Sequence, residues 1–215
     1  LFLLYALPPI RLKERGFIGV LTDALYAQVV PCLLAVYTYS MIAKGVTLNL
    51  LILIPFLLWL LFSGCRNIIH HQIEDFANDK NTNTNTFATR YGISMAQKIV
   101  LYVIAPVEVI AFIALLCHLP HFRFVLCAIY LLFAIIYLMV FYLKSNRTLF
   151  NNKEGWYQFL NQKLLNEFYE IHLPVILLAF FSFYNPFFIW ILILNLLLFV
   201  PIYYSYTIGF IKKYF

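Results

Sequence analysis

Charged residues are scarce in this chain of 215 residues: they make up 11% of it, against about 25% in an ordinary soluble domain. Hydrophobic residues make up 64%, and a soluble fold of this length has no core large enough to bury them. No polar linker is long enough to separate two domains. The composition therefore predicts an all-α, polytopic transmembrane bundle that forms a single domain over residues 1–215.

Sequence signals of several other protein classes are missing. The four cysteines form no C-x-x-C pair and lie mostly in or beside apolar runs, so neither a disulfide framework nor a zinc site is predicted. The opening LFLLYAL has no basic segment or cleavage site of a signal peptide, and we expect it to be the tail of an earlier helix in a larger protein. The net charge of +6 does not indicate nucleic-acid binding, because the basic residues flank apolar runs.

Apolar runs of transmembrane length cover residues 17–39, 46–63, 98–117 and 122–143. The stretch 171–206 is too long for one crossing, and the Asn-Pro dipeptide at 185–186 predicts a break, because proline removes a backbone donor. Two spans are expected there, 171–184 with an upstream extension and 186–206, which makes about six in all. The preceding segment 154–170 is either an amphipathic helix in the headgroup region or that extension.

The distribution of basic residues tests this layout. Alternate threading places residues 8–16, 64–97, 144–170 and 207–215 on one side of the membrane. That side and its helix ends carry 13 basic residues, and the other side carries two, Lys44 and Arg123. The thirteen are Arg11, Lys13, Arg15, Arg66, Lys80, Arg90, Lys98, Lys144, Arg147, Lys153, Lys163, Lys212 and Lys213. The positive-inside rule then predicts a multi-pass protein of the inner or plasma membrane, with the first side in the cytoplasm.

The segment 66–92, RNIIHHQIEDFANDKNTNTNTFATRYG, concentrates polar residues at the cytoplasmic end of a span. If the helix continues, Asp75 and Asp79 lie one turn apart on one face, and the NTNTNT run then ends the helix. Two such carboxylates repel each other unless a cation lies between them, and Mg²⁺ takes carboxylate oxygens while sharing its other positions with phosphates. The alternative is a solvated polar loop whose acids are balanced by Lys80 and Arg90.

The loop 5–16, YALPPIRLKERG, lies on the same predicted side. Its two prolines favour an extended turn that presents Arg11, Lys13 and Arg15. Guanidinium and ammonium groups of this kind bind diphosphate. The alternative is that they only anchor the chain under the positive-inside rule.

The histidines do not form one metal site. His70 and His71 lie on the predicted cytoplasmic side, whereas His118 and His121 lie on the other, which argues against a histidine-rich di-iron oxidase. His71, one turn before Asp75, either orients a substrate or is solvated.

Two acids lie at membrane depth, Glu108 near the middle of its span and Asp23 a few residues into its own. A charge at the centre of a span costs about 3 kcal/mol on insertion scales. We therefore expect both to point into the bundle, where they either line a cavity or form a helix–helix contact.

The polar segment resembles the second aspartate-rich motif of the UbiA superfamily of intramembrane prenyltransferases, D-x-x-x-D followed by a T-x-A-x-x-x-G tail. Asp75 and Asp79 match the aspartates, and Thr86, Ala88 and Gly92 match the tail. The two aspartates are thereby implied as metal-binding and catalytic residues.

The loop YALPPIRLKERG resembles the basic segment that precedes the fifth helix of that family. Tyr5 matches its tyrosine, and Arg11 and Lys13 are both candidates for its diphosphate-binding lysine. Lys80 and Arg90 join them as candidate diphosphate contacts. The two matches cover roughly 40 residues, and their order and spacing agree over about 90.

The resemblance implies a bundle of about nine helices around a central cavity open to the membrane. Mg²⁺ ions on two aspartate-rich motifs bind a prenyl diphosphate there, and an aromatic or other lipophilic acceptor captures the prenyl group. No protein partner and no nucleic acid are predicted.

Three departures from the family pattern qualify this expectation. The first aspartate-rich motif is absent from the chain, so about four helices are expected upstream of Leu1, and the chain alone is expected to be inactive. Asn83 stands where the family usually has glycine, which puts the shape of that turn in doubt. The C-terminal half also has one more span than the pattern.

Two other hypotheses stay open. The chain is a non-catalytic transporter or scaffold whose acids form a loop–loop ion pair, or it is a degenerate relative that keeps the fold without the activity. The acceptor, the prenyl chain length and the oligomeric state are not readable from the sequence.

Overall fold

The computed structural model describes residues 2–42, 49–118, 123–144 and 153–204, and the regular elements within these ranges are all helical. The predicted all-α class is confirmed. The helices are α1 (Phe2–Ala6), α2 (Phe17–Ile42), α3 (Leu50–Glu74), α4 (Phe76–Asn81), α5 (Phe87–Tyr91), α6 (Ile93–His118), α7 (Arg123–Lys144), α8 (153–184) and α9 (Phe187–Leu198). One 3₁₀ turn, Leu12–Glu14, lies between α1 and α2.

Four of the described helices are long and apolar enough to cross a membrane: α2, α3, α6 and the Gly155–Tyr184 part of α8. Two shorter apolar helical stretches, Phe124–Met139 and Phe187–Leu198, fall on two further predicted spans. Large apolar side chains on these helices are exposed, such as Phe183 at 86% and Tyr102 at 72%. So much outward apolar surface suits lipid rather than water, and the chain is an all-helical membrane protein.

The predicted break between α8 and α9 is confirmed. Asn185 is extended, with φ of −144°, and its side-chain oxygen accepts a hydrogen bond from the backbone N–H of Phe187 at 3.0 Å. Upstream of this break, α8 is helical without interruption from 153 to 184. The segment 154–170 is therefore an extension of the following helix rather than a separate element.

The chain divides into two compact units, Leu1–Ile129 and Tyr130–Phe215. In the second unit an aromatic cluster joins α7 to α8: the Phe133 ring stacks on Tyr137 at 4.1 Å and lies 5.1 Å from the Phe168 ring. The expectation of a single domain over the whole chain stays a prediction.

In the first unit, α3 packs against both α2 and α6. Against α2 the backbones approach closely, since a Cβ placed on Gly64 would lie 2.9 Å from the Cβ of Ala24. Small residues at such positions let membrane helices pack without a gap. Glycine at 64 is therefore part of the α2–α3 contact.

Between α3 and α6, Arg66 and Glu108 form a two-pronged ion pair. The Nε–Oε2 distance is 2.7 Å, the Nη2–Oε1 distance is 2.9 Å, and both side chains are fully buried. The inward orientation predicted for Glu108 is confirmed. Arg66, counted with the cytoplasmic helix ends, lies within α3, which continues to Glu74, and its side chain is buried in the unit.

Some residues used in the charge argument lie outside what the structure describes. For Lys44, His121, Arg147, Lys212 and Lys213 this includes the backbone, and for Arg123, Lys144, Lys153 and Lys163 it concerns the side chain. The sidedness of the membrane protein therefore stays a prediction.

Removing one partner of the Arg66–Glu108 pair should destabilise the protein strongly. We expect Arg66→Met and Glu108→Leu each to lower the free energy of unfolding by about 3–5 kcal/mol, because each leaves a buried charge without its counter-ion. The double variant should recover most of that loss. Unfolding in detergent micelles measures all three, with Lys98→Met on the exposed side of α6 as the control. Single variants no less stable than the control would contradict the prediction.

Candidate functional site

The polar segment after the α3 span is helical where the sequence predicts it. The backbone N–H of Asp75 donates to the His71 carbonyl at 2.9 Å, and that of Asp79 donates to the Asp75 carbonyl at 2.8 Å. His71, Asp75 and Asp79 therefore follow one another at intervals of one turn. Asp75 lies at the junction of α3 and α4, and Asp79 lies within α4.

The two carboxylates differ in their surroundings. Asp75 is exposed, whereas Asp79 is half-buried and accepts a hydrogen bond from the Thr86 hydroxyl at 3.1 Å. Within the described ranges, no ion pair joins either carboxylate to Lys80 or Arg90. The acids and these two cations are therefore not in direct contact in this part of the structure, and the alternative of a solvated polar loop stays open.

The turn that follows α4 brings Thr86 back to Asp79. Asn83 has a left-handed backbone with φ of +52°, and the N–H of Thr84 donates to the Asp79 carbonyl at 2.8 Å. Asparagine tolerates this conformation better than other residues that carry a Cβ. Asn83 therefore adopts a conformation that glycine also favours, and the NTNTNT run ends the helix as predicted.

A second hydrogen bond fixes α5 against α3. The side-chain oxygen of Gln72 accepts the backbone N–H of Ala88 at 3.3 Å, and both residues are buried. Gly92, with φ of +83°, then ends α5 before α6 begins. The motif's tail is thus held to the end of α3 rather than extended into solvent.

The basic loop before α2 lies against this motif. Arg90 Nη2 donates to the Glu14 carbonyl at 3.1 Å across 76 residues of sequence, and the rings of Phe17 and Phe87 are 6.4 Å apart. Gly16 has a left-handed backbone, and a Cβ placed there would lie 3.3 Å from Arg90 Nη1. Two segments that the sequence predicts only on the same side are in direct contact.

The predicted diphosphate-binding cations differ in the partners that they contact. Arg11 pairs with Glu14 at 3.0 Å, and Arg90 contacts only a backbone carbonyl of the same loop. Lys13 and Lys80 form no ion pair among the described residues. Their ammonium groups, together with Arg90, leave positive charge near the motif that no described carboxylate neutralises.

His71 lies at the surface beside Glu74. Its side chain is 70% exposed, and its Nδ1 lies 3.6 Å from Glu74 Oε2. His70 lies 3.3 Å from the other oxygen of the same carboxylate. The orienting role of His71 stays a prediction.

Asp23 and Tyr26 form a polar pair beside Tyr5 that sequence reasoning did not find. The Tyr26 hydroxyl donates to Asp23 Oδ1 at 2.8 Å, and the Tyr5 and Tyr26 rings are 5.3 Å apart. The Asp-x-x-Tyr spacing on one helix face was the available signal, since residues three apart are neighbours there.

The described side chains do not form a closed metal centre. Among the described residues, no group of three or more His, Cys, Asp or Glu side chains could hold a metal ion. Asp75 and Asp79 are carboxylates of the kind that Mg²⁺ binds one or two at a time, while water and phosphate take its other positions. A phosphate ligand or another segment would have to complete the site.

Comparison with known proteins adds no assignment: no family model, no curated protein and no solved structure matches the chain. The fold and composition define the class alone, an all-helical membrane protein with a polar motif between α3 and α6.

The left-handed turn at residue 83 gives a direct test of the motif's geometry. Asn83→Val should lower the free energy of unfolding by about 1–2 kcal/mol, because a β-branched side chain clashes in this backbone conformation. Asn83→Gly should be tolerated. Asn85→Val, exposed and two residues on, is the matched control in a thermal unfolding experiment. Equal stability of the valine variants at 83 and 85 would show that the turn is not left-handed.

Proposed function

We propose that this protein is a UbiA-like intramembrane prenyltransferase. It would transfer a prenyl group from a prenyl diphosphate to an aromatic or other lipophilic acceptor within the membrane, with Mg²⁺ as cofactor. The observation that carries the proposal is the contact between the basic loop 11–16 and the aspartate motif, made by Arg90 and Glu14. A basic loop and a pair of carboxylates are expected to lie side by side if both bind the same ligand, an anion that also carries a metal ion.

In this reading, Asp75 and Asp79 hold Mg²⁺, which supplies positive charge where the leaving diphosphate gathers negative charge. Lys13, Lys80 and Arg90 bind the diphosphate oxygens directly, because ammonium and guanidinium groups donate to phosphate. Arg11 belongs to the same basic loop. It would leave its ion pair with Glu14 and bind a phosphate oxygen instead.

Tyr5 contributes a hydroxyl donor in the same region. Its ring lies against that of Tyr26, with the ring centroids 5.3 Å apart. A neutral phenol can donate a hydrogen bond to a phosphate oxygen. Tyr5 would therefore orient the diphosphate and carry no charge.

The transfer itself balances without a redox partner. The bond between the prenyl carbon and the diphosphate oxygen breaks, and its electron pair leaves with the diphosphate. A nucleophilic carbon or oxygen of the acceptor forms the new bond to the prenyl carbon, and the acceptor then gives up a proton. The apolar helix faces around the site would exclude water, which otherwise captures the allylic cation.

The proposal includes six membrane crossings and a motif on the cytoplasmic side.

The scaffold hypothesis required the acids to pair with a neighbouring loop, and no such pair involves Asp75 or Asp79 among the described residues.

Neutralising either motif aspartate should abolish transfer. In the full-length protein, Asp75→Asn and Asp79→Asn should each lower prenyl transfer by about 100-fold or more, since each removes negative charge needed to hold the cation. They should also remove the rise in unfolding temperature that Mg²⁺ and prenyl diphosphate together produce, a rise that linkage requires of any true ligand.

Glu74→Gln is the matched control, because Glu74 is the adjacent exposed acid and contacts only His70 and His71 in the described structure. It should keep both transfer and ligand-induced stabilisation. Retained transfer in both aspartate variants would rule out the enzymatic proposal. Absence of stabilisation in the unmodified protein would favour the non-catalytic alternative.

A further inference from the structure

Two cysteines at the junction of α6 and α7 lie together in space. Cys117 is the penultimate residue of α6, Cys127 lies one turn into α7, and their sulfur atoms are 3.9 Å apart. Both belong to the first compact unit. The four cysteines of the chain are all free thiols in this structure. Because the sequence has no C-x-x-C pair, no disulfide framework was predicted. Helices α6 and α7 nevertheless bring these two thiols together in space.

The two sulfur atoms are close enough to form a bond after a small movement of their side chains. A disulfide bond is about 2 Å long, so the sulfur atoms must approach by about 2 Å, a distance that rotation of cysteine side chains between staggered positions can cover. The geometry of the other two cysteines offers no such partner: Cys65 is buried in α3, and Cys32 lies in α2.

Neither thiol is buried within the first unit, and Cys117 lies in the last turn of α6. Cys117 is exposed and Cys127 is half-exposed, next to the end of α6 at His118. The charge pattern predicts this end on the side opposite to the aspartate motif, away from the cytoplasm. Disulfides form and persist in such compartments, whereas cytoplasmic thiols are kept reduced.

We propose that Cys117 and Cys127 form a disulfide that links α6 to α7. The thiolate of the more exposed Cys117 attacks a sulfur of an oxidising disulfide, such as oxidised glutathione or a protein dithiol oxidase, and releases one thiol. The Cys127 thiolate then attacks the Cys117 sulfur of this mixed disulfide and releases the second thiol. Two protons leave the cysteines, and two electrons reduce the oxidant.

The disulfide would join the start of α7 to the helices that the ion pair already holds together. Helix α6 is already held to α3 by the Arg66–Glu108 pair, and the disulfide would add the start of α7 to that assembly. This inference is independent of the proposed enzymatic function.

Trypsin and mass spectrometry test the proposal directly. Trypsin cleaves after Arg123, between the two cysteines, so residues 99–123 and 124–144 separate unless a disulfide joins them. In the full chain purified without reductant and equilibrated with oxidised glutathione, with free thiols blocked by a maleimide, we expect these two peptides as one linked species. Reduction should release them and raise the number of reactive thiols in the denatured chain from two to four.

Cys32→Ala and Cys65→Ala are the matched controls and should leave the linked species unchanged, whereas Cys127→Ala should abolish it and leave a third thiol open to the maleimide or to glutathione. The linked 99–123 and 124–144 peptides support the proposal. Four maleimide-labelled thiols after glutathione treatment, or a link that involves Cys32 or Cys65, would overturn it.

Discussion

The buried ion pair between Arg66 and Glu108 is the interaction on which the arrangement of the first unit depends. Inside lipid, an unpaired charge has no water to solvate it, so each of these side chains requires the other. Their two-pronged contact at 2.7 and 2.9 Å fixes both the rotation and the axial position of α3 relative to α6. Since the whole motif 75–92 connects these two helices, both of its ends are set by a contact that lies outside it.

Between these two helices the polar segment is organised by three hydrogen bonds. Thr86 donates to Asp79, Gln72 accepts from the backbone of Ala88, and Arg90 donates to the carbonyl of Glu14. The buried Gln72–Ala88 bond satisfies groups that would be costly to leave without a partner. The result leaves Asp75 and Asp79 without a described cationic partner, while Lys13 and Lys80 have no described anionic one. We interpret these charges as groups available to a ligand that carries both a metal and phosphate oxygens, which is the chemistry of the proposed prenyl transfer.

Sequence reasoning failed at particular residues for identifiable reasons. Arg66 was counted with the cytoplasmic helix ends because hydropathy falls after residue 63, and its burial against Glu108 was not predicted. Hydropathy records the polarity of a side chain and not its partner, so it cannot distinguish an arginine in water from one buried against a glutamate. The contact of Asp23 with Tyr26 lay within one helix and was readable from spacing. The neighbouring contact of Tyr26 with Tyr5 was not, because it joins different helices.

The sequence by itself determined that the protein lies in lipid, that its regular structure is helical, and how residues are spaced along each helix. Its composition requires lipid, its apolar runs become helices, proline at 186 marks the break after α8, and the interval between Asp75 and Asp79 is one helical turn. Only the tertiary structure decided which side chains meet: Arg66 with Glu108 across 42 residues, Arg90 with the loop of Glu14 across 76, and Cys117 with Cys127 across a helix connection. The physical reason is that a helix's own hydrogen bonds and hydropathy are local, whereas its rotation and height against a neighbour are set by packing and charge between helices.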